Sequence, residues 1–142
     1  MSHTHEVSWA AGFFDGEGFI NIQKRSHPKY TGYYLRIGIN HVAPEPVIEM
    51  QRLFGGTVVK QTKEQVQGNR KPRHRWVTGT KNAADALKQM LPYMKNKNRV
   101  SALALDFQQT VKDEYKRLGV PEQVQRQRIE LKVEIMRLNS LD

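Results

Sequence analysis

The chain has 142 residues, a hydrophobic fraction of 38%, a net charge of +9 and no cysteine. That length suits one domain, which we assign to residues 1–142, and the lack of cysteine excludes disulfide bonds and thiolate zinc sites. No apolar segment approaches the roughly 20 residues of a membrane span, and the first residues have no secretory or transit pattern. We therefore expect a soluble intracellular protein of a bacterial cytoplasm or an organelle matrix.

The positive charge is concentrated in residues 60–100. This segment holds eleven Lys and Arg residues but only two acids, Glu64 and Asp85, whereas the segments on either side each carry equal numbers of basic and acidic side chains. Such segregation favours a polyanionic partner, above all nucleic acid. An anionic membrane fits less well, because the segment lacks the apolar face of an interfacial helix.

The hydrophobic pattern predicts the element order α-β-β-α-β-β-α, followed by two further helices. Ser8 is a candidate N-cap of the first helix, and Asn82 is a candidate N-cap of the third. The predicted helices cover residues 8–15, 44–54, 82–91, 98–118 and 121–138, and the predicted strands cover residues 19–25, 33–40, 57–63 and 74–79. This order predicts an α+β fold with a four-stranded antiparallel sheet and helices on one of its faces.

The segment from Trp9 to Gly18 contains the residues best suited to chemistry. Gly12 and Gly16 share one helix face, where each costs up to about 1 kcal/mol relative to alanine, and close approach of another backbone would explain them. Glu17 follows at the helix C-terminus, where the partial negative charge disfavours a carboxylate unless a cation such as Mg²⁺ binds. The alternative interpretation is a helix–turn–strand corner with two solvated acids.

The residues from Ala10 to Gly18 resemble the LAGLIDADG motif of homing endonucleases. Four positions match the motif directly and the others are common variants; the direct matches are Ala11, Gly12, Asp15 and Gly18. The Phe-Ile-Asn-Ile strand at 19–22, the Gly-Gly pair at 55–56 and residues 91–97 are also similar to this family. The resemblance implies an αββαββα unit with two additional C-terminal helices. Because the chain has one motif, the resemblance also implies a homodimer.

The same resemblance implies an intron-encoded homing endonuclease, a site-specific enzyme that hydrolyses double-stranded DNA and leaves short 3′ overhangs. Its homodimer would recognise a long pseudo-palindromic site, with one sheet in the major groove of each half. Glu17 and the Gly16 carbonyl would bind metal, with two or three Mg²⁺ ions shared by the dimer, Ca²⁺ or Mn²⁺ as substitutes, and no small-molecule cofactor. The dimer interface would contain Trp9, Gly12, Phe13 and Gly16.

Three further residues receive roles from the resemblance. Lys97 matches the basic residue that contacts the scissile phosphate or the solvent network, and its alternative role is that of one more phosphate-binding lysine. His41 occupies the position of a polar water-positioning residue, although a structural histidine is an equal alternative. Asp15 is expected to make a structural hydrogen bond rather than to bind metal. The family's basic group at the start of the second helix has no counterpart in residues 43–46.

Strand alternation assigns one face of the sheet to DNA. If the aliphatic residues of each strand face the helices, the polar residues between them face outward, where Arg can pair with guanine and Asn or Gln with adenine. The residues assigned to DNA binding are Asn21, Gln23, Arg25, His27, Tyr34, Arg36, Asn40, Lys60, Thr62, Arg73 and Arg75. The alternative is an ordinary polar sheet face.

Two other functions are compatible with the sequence. An RNA-binding intron maturase with the same fold would also be basic, so charge does not exclude it. Glu17 favours the nuclease over the maturase, because a structural role would not require an acid at that position. A non-cleaving DNA-binding regulator would usually carry a separate DNA-binding domain, for which 142 residues leave little room.

Overall fold

A computed structural model describes residues 3–27 and 30–141. The helices are α1 (His3–Glu17), α2 (Pro44–Phe54), α3 (Thr80–Met90), α4 (Asn98–Gln109), α5 (Glu114–Leu118) and α6 (Glu122–Asn139). The strands are β1 (Gly18–His27), β2 (Tyr30–His41), β3 (Thr57–Lys60) and β4 (His74–Gly79), and short 3-10 helices cover Lys63–Gln65 and Leu91–Tyr93. No helix in the described part of the chain is long and apolar enough to cross a membrane.

The four strands form one antiparallel sheet in the order β1-β2-β4-β3. Alternate residues face the helices: Ile20 pairs with Ile37, Ile39 pairs with Trp76, and all four side chains are buried. Because side chains alternate across a strand, the residues between them face the opposite side of the sheet. The predicted α+β fold and the predicted inward positions of β1 and β2 are confirmed.

The first helix begins earlier than predicted. It includes His3, so Ser8 lies inside α1 and is not its N-cap. Two contacts explain the added turn: Val7 is buried in the core, and the Glu6 carboxylate forms an ion pair of 2.7 Å with Arg52 of α2. Packing against α2 therefore stabilises residues that carry no N-terminal signal of their own.

The helices after the sheet also differ from the prediction. Asn82 does not cap α3; its side-chain amide donates instead to the Phe54 carbonyl (2.9 Å) and the Thr78 hydroxyl (2.6 Å). The single helix predicted over 98–118 is two helices, because α4 ends at Gln109 and α5 begins at Glu114. At this break the Arg128 guanidinium donates to the Thr110 carbonyl (2.8 Å) and hydroxyl (3.0 Å), which satisfies the end of α4.

Candidate catalytic and nucleic-acid site

Asp15 at the foot of α1 binds the segment that precedes α4. Its carboxylate accepts hydrogen bonds from the backbone N–H groups of Lys95 (2.9 Å), Asn96 (3.0 Å) and Lys97 (2.7 Å). Burial raises the pKa of Asp15, but these hydrogen bonds and the Lys97 charge outweigh it, so the pKa lies below its ordinary value. The interpretation of Asp15 as a structural acid agrees with these contacts.

Glu17, two residues further along, has none of these partners. Its side chain is exposed, and no described residue donates a hydrogen bond or forms an ion pair with its carboxylate. Gly16 lies among the last four residues of α1, whose carbonyls have no partner within the helix. Within residues 3–27 and 30–141, no group of three or more His, Asp or Glu side chains is arranged to hold a metal ion. One chain therefore offers one free carboxylate beside a helix C-terminus.

Lys97 also contacts the end of α1. Its Nζ donates to the Asp15 carbonyl at 2.8 Å, and its side chain is half-buried. The contact suits a cation, because the C-terminus of a helix carries partial negative charge. One of the three ammonium protons is used in this way, which leaves two donors for another acceptor. The structure thus brings Lys97 to the end of the helix that carries Glu17.

His41 ends β2 and contacts both α1 and the start of α2. Its Nδ1 accepts the backbone N–H of Ala43 at 3.0 Å, and its ring lies edge-on to Phe13 with a centroid separation of 5.5 Å. In the neutral tautomer that accepts at Nδ1, the ring proton is on Nε2. His41 is therefore a structural residue through Nδ1 and retains a donor at Nε2.

The outer face of α1 is open. Val7, Ala10, Ala11 and Phe14 are buried against the protein, whereas Gly12 and Gly16 are exposed on the other side and Trp9 is 44% exposed. The Trp9 ring stacks on Phe13 with a centroid separation of 5.5 Å. A Cβ atom built on Gly12 or Gly16 would meet nothing within 4 Å. Nothing within the described part of this chain therefore requires glycine at either position.

The face of the sheet opposite the helices carries polar and aromatic side chains. Asn21 pairs with Arg36, Gln23 pairs with Tyr34, and Asn40 pairs with Arg75. All six have the alternation opposite to that of the buried aliphatic residues, so their predicted outward placement is confirmed. The assignment of these side chains to DNA stays a prediction. His27 ends β1, but its side chain lies outside the described part of the structure.

Two arginines on this face are held by neighbouring side chains. The Arg75 Nε donates to the Asn40 Oδ1 at 2.7 Å, and its guanidinium lies 5.9 Å from the centroid of the Phe19 ring. The Arg25 guanidinium lies 4.7 Å from the centroid of the Tyr34 ring. Both geometries are cation–π contacts, which restrict the arginine while leaving the Nη groups available.

The predicted outward residues of the third strand need correction. Val58 pairs with the buried Trp76 and Lys60 pairs with His74, so Lys60 has the alternation of the helix side. Thr62 lies beyond the end of β3 in a turn, where its N–H donates to the Gln65 side chain (2.8 Å). The outward residues are instead Val59 and Gln61. They line one hollow with Asn40, Arg73 and Arg75.

The sequence alone did not assign Val59 and Gln61 to the outer face, and each omission has a reason. Val59 is apolar, so a search for polar side chains passes over it, although a methyl group can contact thymine. Gln61 carries a hydrogen-bond pattern that joins the strands: its backbone N–H donates to the Arg73 carbonyl (2.8 Å), and its side-chain oxygen accepts the Arg73 N–H (3.1 Å). Counting from Val58 as an inward residue would have identified both.

Comparisons with known proteins rest on structure. No protein-family model and no curated protein matches the sequence. The homing endonuclease I-CvuI, bound to its target in the presence of calcium, matches with a TM-score of 0.78 and 18% identity over 96% of this chain and 83% of that chain. The archaeal intron-encoded homing endonuclease I-Vdi141I, complexed with DNA, gives 0.76 and 13% over 96% and 86%.

A longer relative of this fold matches over part of its length. The LAGLIDADG homing endonuclease I-GzeII, in complex with its DNA target, gives a TM-score of 0.70 and 13% identity over 89% of this chain and 43% of that chain. These neighbours confirm the fold that the motif at Ala10 to Gly18 implied. The chain has the fold of the LAGLIDADG homing endonucleases.

Proposed function

We propose that this chain is a site-specific double-strand DNA endonuclease that acts as a homodimer and depends on a divalent metal ion. The observation that carries the proposal is the foot of α1. There Glu17 has no partner among the described residues, and the helix face that leads to it is open at Gly12 and Gly16. DNA complexes of the similar homing endonucleases support the same class of substrate.

The dimer explains the two open glycines. Glycine inside a helix costs about 0.5–1 kcal/mol relative to alanine, and no contact within the described chain compensates for it. A second α1 packed on this face would approach closely only where side chains are absent. A twofold axis that runs along the helix pair makes the interface self-complementary and brings the two Glu17 carboxylates together at one end of the pair. The stacked Trp9 and Phe13 rings would flank the contact.

The residues at this end suit a magnesium ion. A pair of carboxylates and the Gly16 carbonyls are hard oxygen donors, and Mg²⁺ binds to few protein ligands while it keeps several waters. When bound, the metal supplies an acidic water and stabilises negative charge on the attacking and leaving oxygens of phosphodiester hydrolysis. Two or three Mg²⁺ ions shared by the dimer remain our proposal, with Ca²⁺ or Mn²⁺ as substitutes. I-SmaMI has been described on uncleaved DNA with calcium ions.

The remaining residues at the foot of α1 position the substrate. Asp15 fixes the backbone of residues 95–97, and this fixes the stem of Lys97 beside the helix end. The two free donors of Lys97 would contact the scissile phosphate. The Nε2 proton of His41 would hold a water molecule of the outer network. Neither residue needs to change its present hydrogen bonds for these roles.

Binding to DNA would use the outer face of the sheet. Arg25, Arg36 and Arg75 bring positive charge to this face, and Asn21, Gln23 and Asn40 add amide groups that can pair with adenine. Each protomer would bind one half of a pseudo-palindromic site through the major groove. Cutting one strand at each of two active sites would leave short 3′ overhangs.

The test requires a DNA target, which can be selected from a random pool. Randomised DNA duplexes retained by the protein in Ca²⁺ would be sequenced, and the enriched duplex would then be incubated with Mg²⁺. We expect double-strand cleavage by the natural chain. Glu17→Gln should abolish cleavage while it leaves DNA affinity within about threefold, because the change removes one charge per protomer but no DNA contact.

A matched control separates loss of chemistry from loss of charge. Glu130 is an exposed acid on α6, and Glu130→Gln makes the same chemical change outside α1 and α2. We expect this variant to cleave normally. Full cleavage by Glu17→Gln would refute the metal assignment, and failure of the natural chain to enrich any duplex would refute the DNA endonuclease itself.

A further inference from the structure

A second concave site lies far along the sheet from the foot of α1. It is a cavity of about 620 Å³ between the start of β2, the connection from α4 to α5, and the first turns of α6. Its walls include Tyr33, Val111, Tyr115 and Val120. Cavities of roughly 300–1,000 Å³ with aromatic walls and a few polar groups are typical of small-molecule sites. None of these residues takes part in the proposed nuclease chemistry.

The charge around this cavity is positive. Lys112, Lys116 and Arg128 line it; Lys116 also forms an exposed ion pair of 3.7 Å with Asp113, and Arg128 is only 6% exposed. The acid in the lining, Glu122, forms its ion pair with Arg126 at 2.8 Å. Arg128 has no carboxylate partner in the described structure and is held by Thr110 alone. A buried guanidinium without a counter-ion is unfavourable, so an anion would stabilise this site.

One hydrogen-bond acceptor in the lining lacks a donor. The Gln125 Nε2 donates to the Thr31 carbonyl at 3.0 Å, which fixes the orientation of the amide. Its Oε1 is buried and has no hydrogen-bond partner in the described structure. Leaving a buried acceptor unpaired costs about 1–3 kcal/mol. Because this oxygen is buried, a ligand's N–H donor would reach it after the Gln125 side chain turns toward the cavity, and the new hydrogen bond would remove this cost.

We propose that this cavity binds a nucleotide unit. The planar base would contact the tyrosine rings, and its amino or imino group would donate to Gln125. The phosphate of the nucleotide would lie beside Arg128, Lys112 and Lys116. The flat base, the N–H donor and the negative charge of a nucleotide match the tyrosine rings, the unpaired Gln125 oxygen and the basic side chains of the lining. The unit has two possible sources, a free nucleoside monophosphate or an unpaired nucleotide at the end of a nucleic-acid strand. The site is separate from the proposed nuclease centre.

The test is a nuclear magnetic resonance titration of the full chain. Nucleoside monophosphates would be added while the side-chain amide of Gln125 and the Nε–H of Arg128 are followed. We expect both signals to shift with a saturable dependence on nucleotide, and adenosine or inorganic phosphate alone to bind more weakly than adenosine monophosphate. Tyr115→Leu should weaken binding on the order of tenfold, because stacking on one aromatic side chain contributes about 1–3 kcal/mol per base.

Charge-reversal variants supply the matched control. Lys116→Glu, in the lining, should weaken binding several-fold, whereas Lys88→Glu, at an exposed position of α3, should leave it unchanged. Equal weakening by both variants would overturn the proposal. It would also be overturned if Gln125 shifted neither with millimolar nucleotide nor with a DNA duplex carrying single-stranded ends. Shifts produced only by the single-stranded ends would assign the strand end as the source. Equal shifts from a blunt duplex would also overturn it, because no unpaired nucleotide is then required.

Discussion

Substituting alanine for Gly12 or Gly16 should change the stability of the monomer and that of the dimer in opposite directions. In the single chain, a Cβ atom at either position meets nothing within 4 Å, and both residues are helical. Alanine should therefore stabilise the monomer by about 0.5–1 kcal/mol per site through helix propensity. If a second α1 packs there, each added methyl group would instead meet a backbone.

The cost to the dimer is larger than the gain to the monomer. Forcing extra carbon atoms into a packed contact costs about 1–3 kcal/mol, and the twofold axis repeats each substitution, so Gly12→Ala should weaken the dimer by about 2–6 kcal/mol. The lower value already raises the dissociation constant about 30-fold. Sedimentation equilibrium over a concentration series would measure this constant, and urea unfolding at a concentration that favours monomer would measure stability.

The control for this experiment is Asp85→Ala, which improves helix propensity at an exposed position of α3 outside the α1 face. It should raise the free energy of unfolding and leave association unchanged. If Gly12→Ala raised the free energy of unfolding but left the dimer equally tight, no backbone would approach Gly12. The packing that brings the two Glu17 residues together would then be wrong.

Three further predictions concern Asp15, Gly38 and Arg75. Asp15→Asn should lower the free energy of unfolding by about 1–2 kcal/mol at neutral pH. Since the folded pKa of Asp15 lies below 3.8, the difference in unfolding free energy from the natural chain should persist above that pH and disappear as the pH falls through the folded pKa. Urea unfolding at a series of pH values measures this difference. A difference that stays constant with pH would contradict the role of the carboxylate. Gly38→Ala should destabilise the fold by about 1–3 kcal/mol, because its Cβ would overlap the Trp76 carbonyl and lie 2.7 Å from the Phe19 ring. Unchanged thermal unfolding would show that the sheet adjusts freely. Arg75→Gln should relax the base preference at one position of each half-site by about 1–3 kcal/mol in a binding selection, whereas a smaller salt dependence with unchanged preference would identify a phosphate contact instead.

Local patterns in the sequence were sufficient to predict those parts of the fold that depend on residues close together in the chain. The alternation of Ile20 and Ile22 in β1, and of the three aliphatic residues of β2, predicted both faces of the sheet because each strand lies between helices and solvent. The order of the first seven helices and strands, α1 to α3 and β1 to β4, followed from such periods and from Gly and Pro positions. The prediction for β3 was wrong at Lys60 and Thr62 because that strand has only four residues and too short a pattern to fix its alternation.

Contacts between distant residues account for the other differences. The helix predicted over 98–118 is broken at Thr110, where Arg128, 18 residues further along the chain, completes the end of α4. The apolar spacing in the sequence contains no sign of that contact. His41 likewise could be assigned to neither of its two roles, because the donor to its Nδ1 depends on where the chain places Ala43.

The two acids of the motif, Asp15 and Glu17, differ in their contacts with the rest of the chain. Asp15 lies 80 to 82 residues from its three N–H donors, and these contacts hold α1 to the segment before α4. Its charge is thereby used within the fold, which explains a lowered pKa and leaves the carboxylate little capacity for a metal. Glu17 has a carboxylate beside the same negative helix end but receives no such donors from the described residues. In the dimer that we propose, a cation shared with a second copy would make this charge favourable, which would explain an acid that stabilises no contact within the described protomer.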